Sequence, residues 1–138
     1  MNTQERERER ESSNARARSD QYTQSWGDAP IVKKTMELYR LYYGYVELFP
    51  KKDKYHLGAA CERYLLQTLE LLLEASYLPV TQKRVRILSA NTKFETLKVL
   101  IRLLKELKVL DQKKYLALQS LIQEIGKMLG GWIRSLPS

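Results

Sequence analysis

The stretch Leu97-Lys98-Val99-Leu100-Ile101-Arg102-Leu103-Leu104-Lys105 decides how this chain folds. Wound at about 100° per residue, the period of an α-helix, it separates into two faces. Lys98, Arg102 and Lys105 fall on one side, Leu100, Leu103 and Leu107 lie opposite, and Leu97, Ile101 and Leu104 flank that set. The apolar arc runs from Leu110 round to Phe94 and spans roughly 200°, which is wide for a helix packing on a single neighbour. The pattern predicts a helix buried on two sides. Its remaining edge, a narrow ridge of cations, would then face something negative.

On either side of this segment, from Pro30 onward, the chain reads as helix. Pro30 suits the first helical position, and Leu38, Leu41, Tyr42, Tyr45, Val46 and Phe49 follow at helical spacing until Pro50 stops them. A second helix is predicted from an N-cap at Asp53 to about Tyr77, with Leu57, Cys61, Tyr64, Thr68, Leu71 and Ala75 as its stripe. A third follows Thr81, read as its cap, and extends to about Leu110, with Ser89-Ala90-Asn91-Thr92 as a place where it bends or breaks. The fourth starts at Asp111 and carries Leu118, Ile122, Ile125, Leu129 and Trp132. No long alternation with a period of two marks a strand. The predicted fold is all-α: an antiparallel up-down-up-down four-helix bundle over residues 30–138.

Residues 1–29 read differently. Glu5-Arg6-Glu7-Arg8-Glu9-Arg10-Glu11 has no apolar face, and its i,i+3 attractions are offset by like charges at i,i+4. A charged leader, disordered or transiently helical, is expected there. It holds five arginines against four Glu and two Asp. From a whole-chain total of 24 basic and 16 acidic residues, nineteen bases and ten acids therefore remain on the other 109 residues, a net charge of +9. Such an excess favours nucleic acid, an acidic protein or an anionic membrane surface as partner.

Catalytic chemistry finds little footing. His56 is the only histidine and Cys61 the only cysteine, which excludes an internal disulfide and any multi-Cys zinc site. No Gly-x-Ser-x-Gly turn or phosphate-cradling glycine loop is present. Cys61 falls on an apolar stripe as a packing residue, and Glu62, Glu70 and Glu74 read as a solvated face. No enzyme, no metal and no cofactor is expected. One thiol fits a reducing cytoplasm, and no apolar run reaches the roughly 20 residues that cross a bilayer. A cytoplasmic protein without membrane contact is therefore expected.

Nine tyrosines are present, four of them (Tyr39, Tyr42, Tyr43 and Tyr45) in one helix. Such rings can stack on unpaired bases. Packing is the preferred reading: Tyr42 and Tyr45 fill core positions with their hydroxyls at the surface, and Tyr39 and Tyr43 meet a neighbouring subunit. The candidate binding cations form three groups. Lys51, Lys52 and Lys54 lie in the first connection, Lys83, Arg84 and Arg86 open the third helix, and Lys98, Arg102 and Lys105 make its ridge. Cations at a helix N-terminus oppose the macrodipole, which fits retention of the second group for a partner, but this cost of about 0.3–1 kcal/mol decides little by itself. Glu95 and Glu106 lie beside the ridge and neutralise part of it.

Several of these segments resemble one family. Phe49-Pro50-Lys51-Lys52 with Tyr55-His56-Leu57-Gly58, then Leu97-Lys98-x-x-x-Arg102-Leu103, and finally Glu124-Ile125-Gly126-Lys127-Met128-Leu129-Gly130-Gly131-Trp132-Ile133 are similar to the Avd-like proteins. These are accessory variability determinants of diversity-generating retroelements, within the four-helix-bundle group named after ribosomal RNA intervening sequences. The resemblance covers about Ile31 to Ser135. It implies a homopentamer that associates with the reverse transcriptase and its template RNA or cDNA during mutagenic copying. The family's basic pair maps onto Lys98 and Arg102. Lysine stands at the first position, where arginine is common, which keeps the charge and loses the bidentate fork.

The function expected is thus that of a non-catalytic accessory subunit that binds reverse transcriptase and RNA through a basic surface. Two alternatives stay open: a protein-only scaffold that docks an acidic region of the polymerase, and an intervening-sequence protein with no polymerase partner.

Overall fold

In the computed structural model the described residues are 2–14 and 29–137. All their regular structure is helical: α1 (residues 3–14), α2 (Pro30–Val46), α3 (Lys51–Lys54), α4 (Leu57–Tyr77), α5 (Val80–Glu106) and α6 (Gln112–Ser135). The rest of the predicted leader lies outside the described residues.

A local cap accounts for α1. Asn2 Oδ1 accepts from the Glu5 backbone N–H at 2.8 Å, and the Glu5 carboxylate accepts from the Asn2 N–H at 3.3 Å. This reciprocal pair satisfies two donors that would otherwise have no partner at the first turn. It supplies the support that the alternating Glu-Arg run lacks.

Two expected caps give way to prolines. Pro50 starts a helix of its own, its carbonyl accepting from Asp53 N–H and Lys54 N–H at 3.0 and 2.8 Å. Asp53 therefore lies inside α3 and does not cap the next helix; α4 starts four residues later, after the turn at Tyr55-His56. That turn packs tightly on Gly58. A Cβ there would meet the Asp53 carbonyl oxygen at 2.9 Å and the Phe49 ring at 3.1 Å, so only glycine fits. Likewise Pro79, not Thr81, occupies the N-cap position of α5. Asp111 does cap α6, accepting from Lys114 N–H at 2.8 Å.

Helix α5 runs for 27 residues, about 40 Å, without a break at Ser89–Thr92. Ala90 is fully buried, while the Thr92 and Thr96 hydroxyls donate back to carbonyls four residues earlier and do not open the helix. The helix stops at Glu106, short of Leu110. Lys108 takes a left-handed conformation at φ 62°, its N–H bonds the Lys105 carbonyl, and the Val109 N–H bonds the Leu104 carbonyl. This is a Schellman stop with lysine where glycine is easiest. Lys108→Gly should raise stability by about 0.5–1 kcal/mol, or a few °C in the thermal midpoint. A lower midpoint would contradict this strain.

Each long helix packs on two others, in the order α2, α4, α5, α6 and back to α2. Tyr39 meets Glu62, and Tyr42 meets Gly58. Tyr64 meets Lys93, and Glu74 meets Arg86. Lys34 meets Glu124, while Tyr45 meets Lys114. In every pair the partner's number falls as the other rises. The core between them is built from Leu38, Leu65, Leu72, Phe94, Leu97, Ile101, Leu118 and Ile125.

One packing expectation is corrected. Tyr42 is wholly buried, hydroxyl included, because that hydroxyl donates to the Gly58 carbonyl at 2.6 Å. Within the single chain, helix α5 buries one stripe (Ile87, Ala90, Phe94, Leu97, Ile101 and Leu104). Val99 (59% exposed), Leu107 (62%) and Leu103 face outward from this chain. Cys61 is buried as expected, and desolvation pushes its thiol up to about 12, so it is protonated and inert at neutral pH.

Candidate nucleic-acid interface

Five of the nine candidate cations are engaged within the chain. On the ridge, Lys98 Nζ lies 3.1 Å from the Glu95 carboxylate and 5.9 Å from the Phe94 ring. The Arg102 Nε lies 3.3 Å from Glu106. Lys105 sits 4.5 Å over the Tyr115 ring of α6. The sequence placed Glu95 and Glu106 beside the ridge; the structure turns both onto it. Three cations and two acids leave that edge little net field.

These pairs do not lock the side chains away. Both join residues one turn apart on an exposed helix, and the Arg102 side chain remains 73% exposed. Such pairs contribute about 0.3–0.5 kcal/mol and are screened by salt. A phosphate can displace either carboxylate. The ridge remains available as a contact surface but is a weak source of attraction.

At the start of α5, Lys83 and Arg86 have partners of their own. Lys83 Nζ donates to the Ala75 carbonyl at 2.6 Å, closing the C-terminal end of α4, and lies 5.6 Å from the Trp132 ring centre. Arg86 pairs with Glu74 of α4 at 3.2 Å. The two-residue connection at Leu78-Pro79 brings the end of one helix beside the start of the next, so the dipole cost at α5 is offset by a favourable contact at α4. Arg84 is exposed and has no partner among the described residues. Lys83→Met should therefore lower stability by about 1–2 kcal/mol, and an unchanged unfolding midpoint would reverse that assignment.

The remaining group, Lys51, Lys52 and Lys54 on α3, has company the sequence reading missed. The contacts of Tyr45 with Lys114 and of Lys105 with Tyr115 put the α2–α4 connection and the α5–α6 connection at one end of the molecule. Lys105, Lys108, Lys113 and Lys114 thus share that end with the three lysines of α3. The acids there are Glu47, Asp53, Glu106 and Asp111, and Asp111 is occupied as the α6 cap. Lys51, Lys52 and Lys113 are exposed and have no ion-pair partner among the described residues. Leu48, Tyr55, Leu107 and Leu116 are exposed at the same end. A signal was available: alternate connections of an up-and-down helical chain gather at the same end.

Chemically the arrangement offers a set of exposed ammonium groups, which attract anions. Among the described residues no cluster of His, Cys, Asp and Glu could hold a metal ion, and no helix is long and apolar enough to cross a membrane.

The family model described as bAvd-like matches residues 30–136. The chain belongs to the bAvd-like family. At family level this bAvd-like chain is therefore an accessory protein of diversity-generating retroelements. The match covers α2 to α6 and begins where the charged leader ends. No curated protein matches the chain.

Proposed function

We propose that this bAvd-like chain is a non-catalytic, cytoplasmic accessory subunit. In this reading it binds the reverse transcriptase and the template RNA or cDNA of its retroelement through a basic surface. Its four long helices form an antiparallel up-down-up-down bundle, a reading supported by the opposed running of the contacts along every helix pair. The bundle assembles with copies of itself, in the pentamer that the family resemblance implies. The outward residues Val85, Leu88, Val99 and Leu103 of α5 support self-association, since they repeat at helical spacing on one exposed face.

The observation that carries the binding reading is the lysine end. Phosphate contacts dominate nucleic-acid affinity and need no base-specific side chain. Lys51, Lys52, Lys54, Lys105, Lys108, Lys113 and Lys114 supply such contacts, with Lys98, Arg102 and Arg84 as secondary ones. Lys83 and Arg86 act mainly inside the chain. The exposed Leu48, Tyr55, Leu107 and Leu116 add apolar side chains to the same end, a mixture of apolar and charged groups that suits protein docking. Reverse transcriptase and RNA therefore share it.

Copurification tests this directly. The full chain, tagged and coexpressed with the reverse transcriptase and template RNA of its retroelement, should retain both at low salt. Retention of the polymerase alone, unchanged by nuclease, would favour the protein-only scaffold. Loss of both partners would refute the assignment.

A further inference from the structure

A second feature, on the side of the molecule, lies between α5 and α6. A groove of about 520 Å³ is lined by Asn91, Glu95 and Lys98 of α5 and by Gln119, Gln123 and Lys127 of α6. Its volume lies in the range that holds one small organic ligand. The side chains of Asn91, Gln119, Gln123 and Lys127 have no hydrogen-bond or ion-pair partner among the described residues. Three amides, each a donor and an acceptor, thus line one groove with no bonding partner among the described residues.

Two glycines keep the groove open. Gly126 and Gly130 line its α6 wall, and internal packing requires neither of them. A Cβ on Gly126 would sit 3.8 Å from the Phe94 ring, an ordinary contact, and one on Gly130 would meet only the movable end of Arg134 at 3.3 Å. Glycine inside a helix is unfavourable relative to alanine, so these positions lose helix stability without gaining a tighter core. What they preserve is the space.

The lining identifies the occupant. Helical peptides dock through apolar anchors, and here the only large apolar lining residue, Ile122, is already buried. Unpaired amides match the edges of unstacked bases, and ammonium groups match the phosphates on either side. We propose that the groove takes one unpaired nucleotide of RNA. Asn91, Gln119 and Gln123 hydrogen-bond its base edge, Lys127 holds one flanking phosphate, and Lys98 takes the other once that phosphate displaces the Glu95 carboxylate 3.1 Å away. This rests on the RNA-binding reading above and adds base preference to it.

The test is binding of the full chain to oligo(A), oligo(U) and oligo(C) strands of equal length, each titrated with salt. The unmodified protein should rank them with a spread of about tenfold. Gln119→Leu with Gln123→Leu should reduce the spread to about twofold and leave the salt slope unchanged, whereas Lys127→Gln should flatten the slope by about 0.7 for every strand. Gly126→Ala should raise the unfolding midpoint while weakening RNA binding severalfold, a combination that a purely structural glycine would not give. Equal affinity for all strands in the unmodified protein, or an unchanged ranking in the amide variant, would overturn the groove proposal alone. Altered assembly mass in the amide variant would do the same. No binding to any strand would overturn the RNA reading itself.

Discussion

Replacing Lys51, Lys52 and Lys113 together by glutamine lowers the affinity for single-stranded RNA by about a hundredfold near 0.1 M salt. The reasoning is electrostatic. Each phosphate neutralised on a single strand contributes about 0.7 to the log–log salt slope, so three lost contacts flatten that slope by about 2. Over the decade between about 0.1 and 1 M salt, the same change amounts to two powers of ten in the binding constant. The three lysines are exposed and unpaired among the described residues, so the substitutions should leave stability within about 0.5 kcal/mol. Fluorescence anisotropy with a labelled RNA strand, repeated across salt concentrations, reads both quantities. An unchanged slope would move the binding surface away from the lysine end.

The second large effect concerns assembly. Val99→Glu with Leu103→Glu should reduce the oligomer to a single chain with its helix content intact. Both residues point away from this chain's core, whose α5 stripe is Ile87, Ala90, Phe94, Leu97, Ile101 and Leu104. Neither substitution therefore opens a cavity in the subunit. Burying an aliphatic side chain of this kind stabilises a contact by about 1.5–3 kcal/mol. Losing two of them, and placing carboxylates in an apolar seam, weakens each contact by at least about a hundredfold. Light scattering after size exclusion gives the mass, and far-UV circular dichroism gives the helicity. Full-sized assemblies from the double variant would place the subunit contact on another face.

How far the sequence could be read differs from feature to feature. The helices from Pro30 onward were legible because apolar spacing is a local signal, and Asp111 because an aspartate before a helix has one common use. Asp53 and Thr81 misled for a related reason: a proline three or two residues earlier already fixes the backbone where the helix begins, leaving the polar residue inside it. The stop at Glu106 was hidden because Lys108 adopts a conformation that lysine rarely takes. Burial of the Tyr42 hydroxyl needed knowledge of which carbonyl would lie opposite, a tertiary fact.

The candidate interface was legible in its charge and not in its arrangement. Residue spacing marked Lys98 and Arg102 as neighbours; it did not decide whether Glu95 and Glu106 would turn toward them or away. Lys83 read as a cation without a purpose because its acceptor, the Ala75 carbonyl, belongs to the preceding helix. Lys108, Lys113 and Lys114 lie some sixty residues along the chain from Lys51 and Lys52. Only the packing of the helices makes them one surface.

That surface is the heart of the account, and RNA binding by the unmodified full chain across salt tests it most directly. Retention of unrelated single strands at about 50 mM salt is expected, weakening by about 300-fold or more on going to about 200 mM, as six or more phosphate contacts require. Failure to retain RNA at the lower concentration, or retention that ignores salt, would contradict it.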